Sequence, residues 1–234
     1  MAAKTILKYI VILFFASADL IGACKSCLPC TQSALATPSN AWQYLQSSNQ
    51  TFVNDCAYGC QRAGLVPEQN PFSVVLSCAD SRVSPELVFN QGLGKLFVSR
   101  VAGPVVDNVV VDSIEYAVGH YDVKIIVVMG HTNCGAVTGA LARLRKNKGK
   151  IAIKSGHLDA VLMPIEKAIK KAGIDIYASN ALALSIRANV RYVADNLVAE
   201  SKVIQKALAT GILTIVGAEY SLETGKVAQL FVIK

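Results

Sequence analysis

Phe72-Ser-Val-Val-Leu-Ser77 runs straight into Cys78-Ala79-Asp80-Ser81-Arg82, and Lys124-Ile-Ile-Val-Val-Met129 leads through Gly130 into His131-Thr132-Asn133-Cys134-Gly135. Each apolar run is short, β-branched and of strand length, and each is closed by polar residues able to do chemistry. Lys95-Leu-Phe-Val-Ser99 and Gly211-Ile-Leu-Thr-Ile-Val216 share the pattern, with helix-like segments such as residues 107–120 and 136–144 between the runs. Strands that alternate with helices predict an α/β fold: a central, mostly parallel β-sheet flanked by helices. Further out, residues 40–53 read as an amphipathic helix offering Trp42, Leu45 and Phe52 for packing, and residues 67–71 as a turn. Residues 155–172 and 178–210 read as long helices, and residues 226–233 as a C-terminal edge strand entered through Glu223-Thr-Gly225.

Ligands of open α/β sheets bind beyond the carboxyl ends of the strands. Cys78 and His131 each follow a strand, so the two motifs leave from the same edge. Two Cys and one His are three zinc ligands, and an open fourth position distinguishes a catalytic zinc from a sealed structural one. Cys134 falls at the expected start of a helix, where backbone N–H groups favour a thiolate. A lone Cys at a strand end is usually a small buried hydrophobe, and His-x-x-Cys recurs by chance. The conjunction of the two motifs is the signal. A redox pair fits less well, because no Cys-x-x-Cys follows a core strand.

With 234 residues and 53% hydrophobic side chains, the chain can bury one sizeable core. Residues 1–23 differ from the rest: Lys4 and Lys8 precede the apolar stretch 9–16, too short to span a bilayer, and small residues follow. That order predicts a signal peptide and export, to the periplasm. Ala16-Ser17-Ala18 suits cleavage, while Leu20-Ile-Gly-Ala-Cys24 fits a lipoprotein signal that would anchor the chain to the membrane through Cys24. Residues 24–38 then form a linker and residues 39–234 one zinc-dependent catalytic domain. Cys27, Cys30, Cys56 and Cys60 remain for two disulfides in an oxidising compartment, with the connectivity open. The formal charge of +7 falls to +6 without Lys4, Lys8 and Asp19. Arg143, Arg145, Lys146, Lys148, Lys150 and Lys154 supply much of the excess and read as a solvated helix end and loop. No aromatics interleave them, which argues against a nucleic-acid partner.

Cys78-Ala-Asp-Ser-Arg82 and His131-Thr-Asn-Cys134-Gly resemble the two signature motifs of the β-class carbonic anhydrases. The resemblance extends through Pro85-Glu-Leu-Val-Phe-Asn-Gln-Gly92, Arg100-Val-Ala-Gly103 and Ser113-Ile-Glu-Tyr116, and covers roughly residue 45 to the C-terminus. It implies one Zn2+ per subunit on Cys78, His131 and Cys134, and a catalytic dyad of Asp80 and Arg82. It also implies reversible hydration of CO2 to bicarbonate and a proton through a zinc-bound hydroxide. Arg82 would grip Asp80 with two N–H donors, keep it off the metal and orient it toward the hydroxide. Gln69, Phe97, Ala102, Tyr116 and Gly135 would form the substrate pocket. In the family the equivalents of Gln69, Phe97 and Tyr116 come from a neighbouring subunit, which implies a homodimer or a dimer of dimers. Gln69, and Val75 where the pH-gated branch carries tryptophan, place the chain with the constitutively open branch. Among the remaining residues, His120 and His157 are candidate proton carriers or plain surface residues. Pro104 departs from the asparagine common in the family, as does the Cys56 and Cys60 pair. Two alternatives share the ligand set: a hydrolase of carbonyl sulfide or carbon disulfide, and a non-catalytic exported zinc-binding protein.

Two thiolates neutralise Zn2+, so this site acidifies water less than an all-histidine one does. CO2 hydration is therefore expected to rise between about pH 6 and pH 9 in saturating buffer, the range around the pKa of near 7 that zinc gives its water at an all-histidine site. A flat stopped-flow profile would contradict this.

Overall fold

A computed structural model describes residues 37–151 and 157–234. The expected signal peptide, Cys24, Cys27, Cys30 and Lys154 lie outside the described residues. The chain divides into two compact units at Cys56 and Ala57. The first contributes helix α1 (Pro38–Asn54), whose start is capped by the Thr37 hydroxyl accepting from the Asn40 N–H at 3.1 Å. This is the amphipathic helix expected from the sequence, but it buries none of its residues, and Trp42 and Leu45 stand exposed rather than packed. No helix of the described residues is long and apolar enough to cross a membrane.

The second unit is built on five strands: β1 (Ser73–Cys78), β2 (Leu96–Val101), β3 (Ile125–His131), β4 (Thr214–Tyr220) and β5 (Val227–Ile233). Their order across the sheet is β2-β1-β3-β4-β5; the first four are parallel and β5 is an antiparallel edge strand. Every residue of β1 is buried, which is why it reads as a continuous apolar run rather than an alternating one. Val74 and Leu76 face one cluster, with Ile114, Val128, Val193 and Ile204, while Val75 faces another, with Val83, Met129 and Ala218. Gly217 permits the β4–β5 contact, since a Cβ there would lie 2.2 Å from the Phe231 ring.

The helices of this unit are α2 (Cys56–Leu65), α3 (Pro85–Val88), α4 (Asn108–His120), α5 (Gly135–Lys146), α6 (Asp159–Lys171), α7 (Ala181–Glu200) and α8 (Lys202–Ala209). The long helix expected over residues 178–210 is therefore two. Ser201 is extended between them and its hydroxyl accepts from the Ile204 N–H at 3.0 Å, so it ends α7 and caps α8. Apolar periodicity continues across the break and hides it. The basic run also differs from expectation at its first member. Arg143 is mostly buried and reaches α6, donating to Glu166 at 2.6 and 3.1 Å and to Asp159 at 2.6 Å. Glu166 is fully buried, and Arg143 is what makes its charge tolerable there. Cys56 and Cys60 sit exposed on α2, and among the described residues neither is joined in a disulfide.

Ser201→Ala removes the cap of α8 and should cost about 1 kcal/mol. Thermal unfolding should show the loss with metal content unchanged.

Candidate metal centre and active site

Parallel pairing positions the site. Ser77 lies opposite Met129, so β1 delivers Cys78 and β3 delivers His131 to the same sheet edge. Thr132 then anchors the second motif to the β4–β5 end: its N–H donates to the Tyr220 carbonyl at 3.0 Å, and its hydroxyl accepts from Leu222 N–H at 3.0 Å. Asn133 takes a left-handed φ of 56°, which turns the chain so that Cys134 becomes the residue before α5. The Cys134 carbonyl accepts both the N–H and the hydroxyl of Thr138. Arg100 of β2 braces the first motif, donating to the carbonyls of Cys78 at 3.0 Å and Asp80 at 2.7 Å.

Cys78, His131 and Cys134 are all buried, and their ligand atoms lie within 4.8 Å of one another. The two sulfurs are 4.0 Å apart, close to the roughly 3.8 Å that two thiolates span on a tetrahedral zinc. His131 Nδ1 is bonded to the Thr132 carbonyl at 2.9 Å, which puts the proton there and leaves the Nε2 lone pair free. Nε2 is buried without a hydrogen-bond partner. An unpartnered buried imidazole nitrogen facing two thiols fits a metal and little else.

The sulfurs share one proton. The hydrogen bond from Cys134 lowers the Cys78 pKa against the opposing effect of burial, helped by the neighbouring His131 and then by the Gly103 N–H at 3.4 Å. Cys134 is pushed up, first because it is the donor in that bond and then by burial. The N–H groups of Val137 and Ala136 at the start of α5 pull it down, as the sequence suggests, but by less. Metal binding takes both sulfurs as thiolates, so it is coupled to proton release from this pair.

Asp80 and Arg82 form the bidentate pair expected of them. Arg82 Nε donates to Oδ1 at 2.9 Å and Nη2 to Oδ2 at 2.7 Å, while the Arg82 backbone N–H adds a bond to Oδ1 at 3.0 Å. These bonds hold the Asp80 carboxyl well below the usual carboxylate range. Oδ2 sits 3.9 Å from His131 Nε2, at the mouth of the ligand cluster.

The five expected pocket residues fall into two groups. Ala102 precedes Gly103, and Gly135 follows Cys134, so both lie exposed at the rim of the metal centre. Gln69, Phe97 and Tyr116 do not reach it. Phe97 pairs with Val74 while Val101 pairs with Cys78, and four strand residues separate those levels by about 13 Å. Sequence reasoning missed the residue that gathers this second group. Tyr121 accepts from Gln69 Nε2 at 3.0 Å, donates toward the Tyr116 hydroxyl at 3.4 Å, and has its ring centre 6.5 Å from that of Phe97. Only the fold brings residues 69, 97, 116 and 121 together; no local motif marks Tyr121. His120 is exposed and stacked on Tyr116, and His157 is exposed in a turn.

The sequence model of the carbonic anhydrase family matches residues 73–227. Carbonic anhydrase 2 of Mycobacterium tuberculosis is 38% identical over 197 residues, covering 81% of this chain and 91% of that protein. The carbonic anhydrase of Mycolicibacterium smegmatis is 36% identical over 203 residues, 82% and 93% of the two chains. Among solved structures, a Coccomyxa β-carbonic anhydrase in complex with acetazolamide superposes with a TM-score of 0.68 at 29% identity, covering 80% of this chain and 84% of its own. A tetrameric β-carbonic anhydrase of Sordaria macrospora gives 0.68 at 25% identity, covering 82% and 97%. The chain belongs to the β-carbonic anhydrase family. Its activity is the zinc-dependent, reversible hydration of CO2 to bicarbonate, a lyase reaction, and neither a carbonyl sulfide or carbon disulfide hydrolase nor a non-catalytic zinc protein is favoured.

Proposed function

We propose that Cys78, His131 and Cys134 hold one Zn2+ in each subunit, and that Asp80 and Arg82 keep its fourth position open for the reacting water. The buried, unpartnered Nε2 of His131 facing two thiols 4.0 Å apart carries this reading. Zinc bound there supplies a Lewis acid that makes water nucleophilic near neutral pH. The protein side chains supply order. Arg82 engages both Asp80 oxygens, so the carboxylate is spent on the guanidinium rather than on the metal. Oδ2 keeps lone-pair capacity toward the cluster and can accept a hydrogen bond from an entering water, which would orient the attacking lone pair of that water toward CO2. The low pKa keeps Asp80 ionised through acid pH, so this arrangement is lost only as pH falls through that depressed value.

Ala102 and Gly135 contribute small, exposed positions at the mouth, where CO2 enters. Gln69, Phe97 and Tyr116 bind substrate in the site of a second subunit, so a dimer is the smallest complete catalyst. Their position at the far end of the strands from Cys78 supports this, since one chain alone leaves its metal centre without them. Export to the periplasm belongs to the same proposal and is supported by the charged, apolar, small-residue order of residues 1–23. Lipidation of Cys24, leaving the enzyme membrane-anchored, is its further step.

Asp80→Asn should retain near-stoichiometric zinc and lose about a hundredfold in CO2 hydration, the scale on which misplacing a reacting group costs rate. Unchanged activity with zinc retained would remove the dyad's role. Native and denaturing mass spectrometry of the exported enzyme should show an even-numbered assembly of processed chains. An unprocessed monomer would refute export and dimer together, and an unmodified Ser or Asp terminus would refute the anchor.

A further inference from the structure

Asn189 lies on α7, almost fully buried, and its Nδ2 donates to the Gly103 carbonyl at 2.7 Å across 86 residues of sequence. The N–H of the same Gly103 donates to Cys78 Sγ at 3.4 Å. Gly103 occupies a tight left-handed turn, with φ at 69° and with Ile165 Cδ1 and Ala136 Cβ at 2.6 and 2.9 Å from where a Cβ would stand. Pro104 follows and has no N–H, so that residue cannot brace the turn through a main-chain donor. The Asn189 side chain supplies a brace from another element.

The other half of the Asn189 amide makes the arrangement informative. Its Oδ1 is buried with no hydrogen-bond partner. An unpaired buried acceptor is costly, and an apolar side chain of similar size would avoid the cost. The donor half is therefore what the position uses.

We propose that Asn189 is a positioning residue of the metal centre: it pins the Gly103–Pro104 peptide and so fixes the left-handed turn at Gly103, which holds the preceding peptide with its N–H toward the Cys78 sulfur. An N–H bonded to a ligating sulfur stabilises it as the thiolate and fixes its direction, so the ligand is pre-organised for the metal and its loss weakens binding. Partners one step removed from a metal typically change its affinity by about tenfold or more when lost. The proposal rests on Cys78 being a zinc ligand.

Asn189→Leu keeps the volume and removes the donor; Asn189→Ser is too short to reach Gly103 and serves should the leucine variant fail to fold. Zinc affinity is read by chelator competition, and the Cys78 sulfur by the near-ultraviolet thiolate-to-metal charge-transfer band of the cobalt-substituted enzyme. About a tenfold loss of zinc affinity with a displaced band is expected. A merely structural asparagine would lower the unfolding temperature and leave affinity and band as in wild type, which overturns the proposal. Cys78→Ser separates the two assignments. If it keeps zinc affinity and the full band, the ligand assignment fails and the proposal with it. If it loses them while both Asn189 variants match wild type, only the proposal fails.

Discussion

The parallel pairing of β1 with β3 is the constraint on which the site depends. Hydrogen-bonded neighbours lie about 4.8 Å apart, so residues leaving two paired strands at one level emerge within reach of a single ion. Ser77 opposite Met129 sets that level, and Cys78 and His131 follow from it. A slip of one residue would turn Cys78 to the opposite face. The burial of β1 on both faces makes such a slip costly, because Val74, Val75 and Leu76 are each committed to one cluster.

Around that edge, charges are matched by hydrogen bonds before any ion arrives. Arg100 holds the backbone on either side of Ala79, Arg82 holds the Asp80 carboxylate, and Gly103 offers an N–H to Cys78. His131 Nε2 is the exception, and its buried, unpartnered lone pair beside two thiols marks a place that could hold a cation. A carboxylate so near would be a natural fourth ligand. Its bidentate engagement with an ever-charged guanidinium is what the proposed open fourth position rests on.

Much of this was legible in the chain. The strand ends at Cys78 and His131, the Asp80–Arg82 pair and the C-terminal edge strand all follow from short-range pattern, because strand length, burial and two-residue spacing are local properties. The split of residues 178–210 into α7 and α8 was not, since Ser201 interrupts an otherwise continuous helical periodicity. Nor was the burial of Arg143, whose partner Glu166 sits on a different helix. The exposure of Trp42 and Leu45 on α1 shows the same limit: an apolar stripe says that a helix can bury a face, not that it does so within its own chain.

Tyr121 and Asn189 mark the boundary most clearly. Nothing near either in sequence signals a role, and each acquires one by touching residues far along the chain, Gln69 in one case and Gly103 in the other. The sequence by itself determined which atoms could bind a metal and which strand ends would present them, because ligand chemistry and strand periodicity are carried by neighbouring residues. Only the tertiary structure decided that the residues expected to line the pocket divide between two ends of the sheet, and which peptide points at the Cys78 sulfur. Those are distances between segments, set by sheet register and helix packing rather than by any residue's own preference.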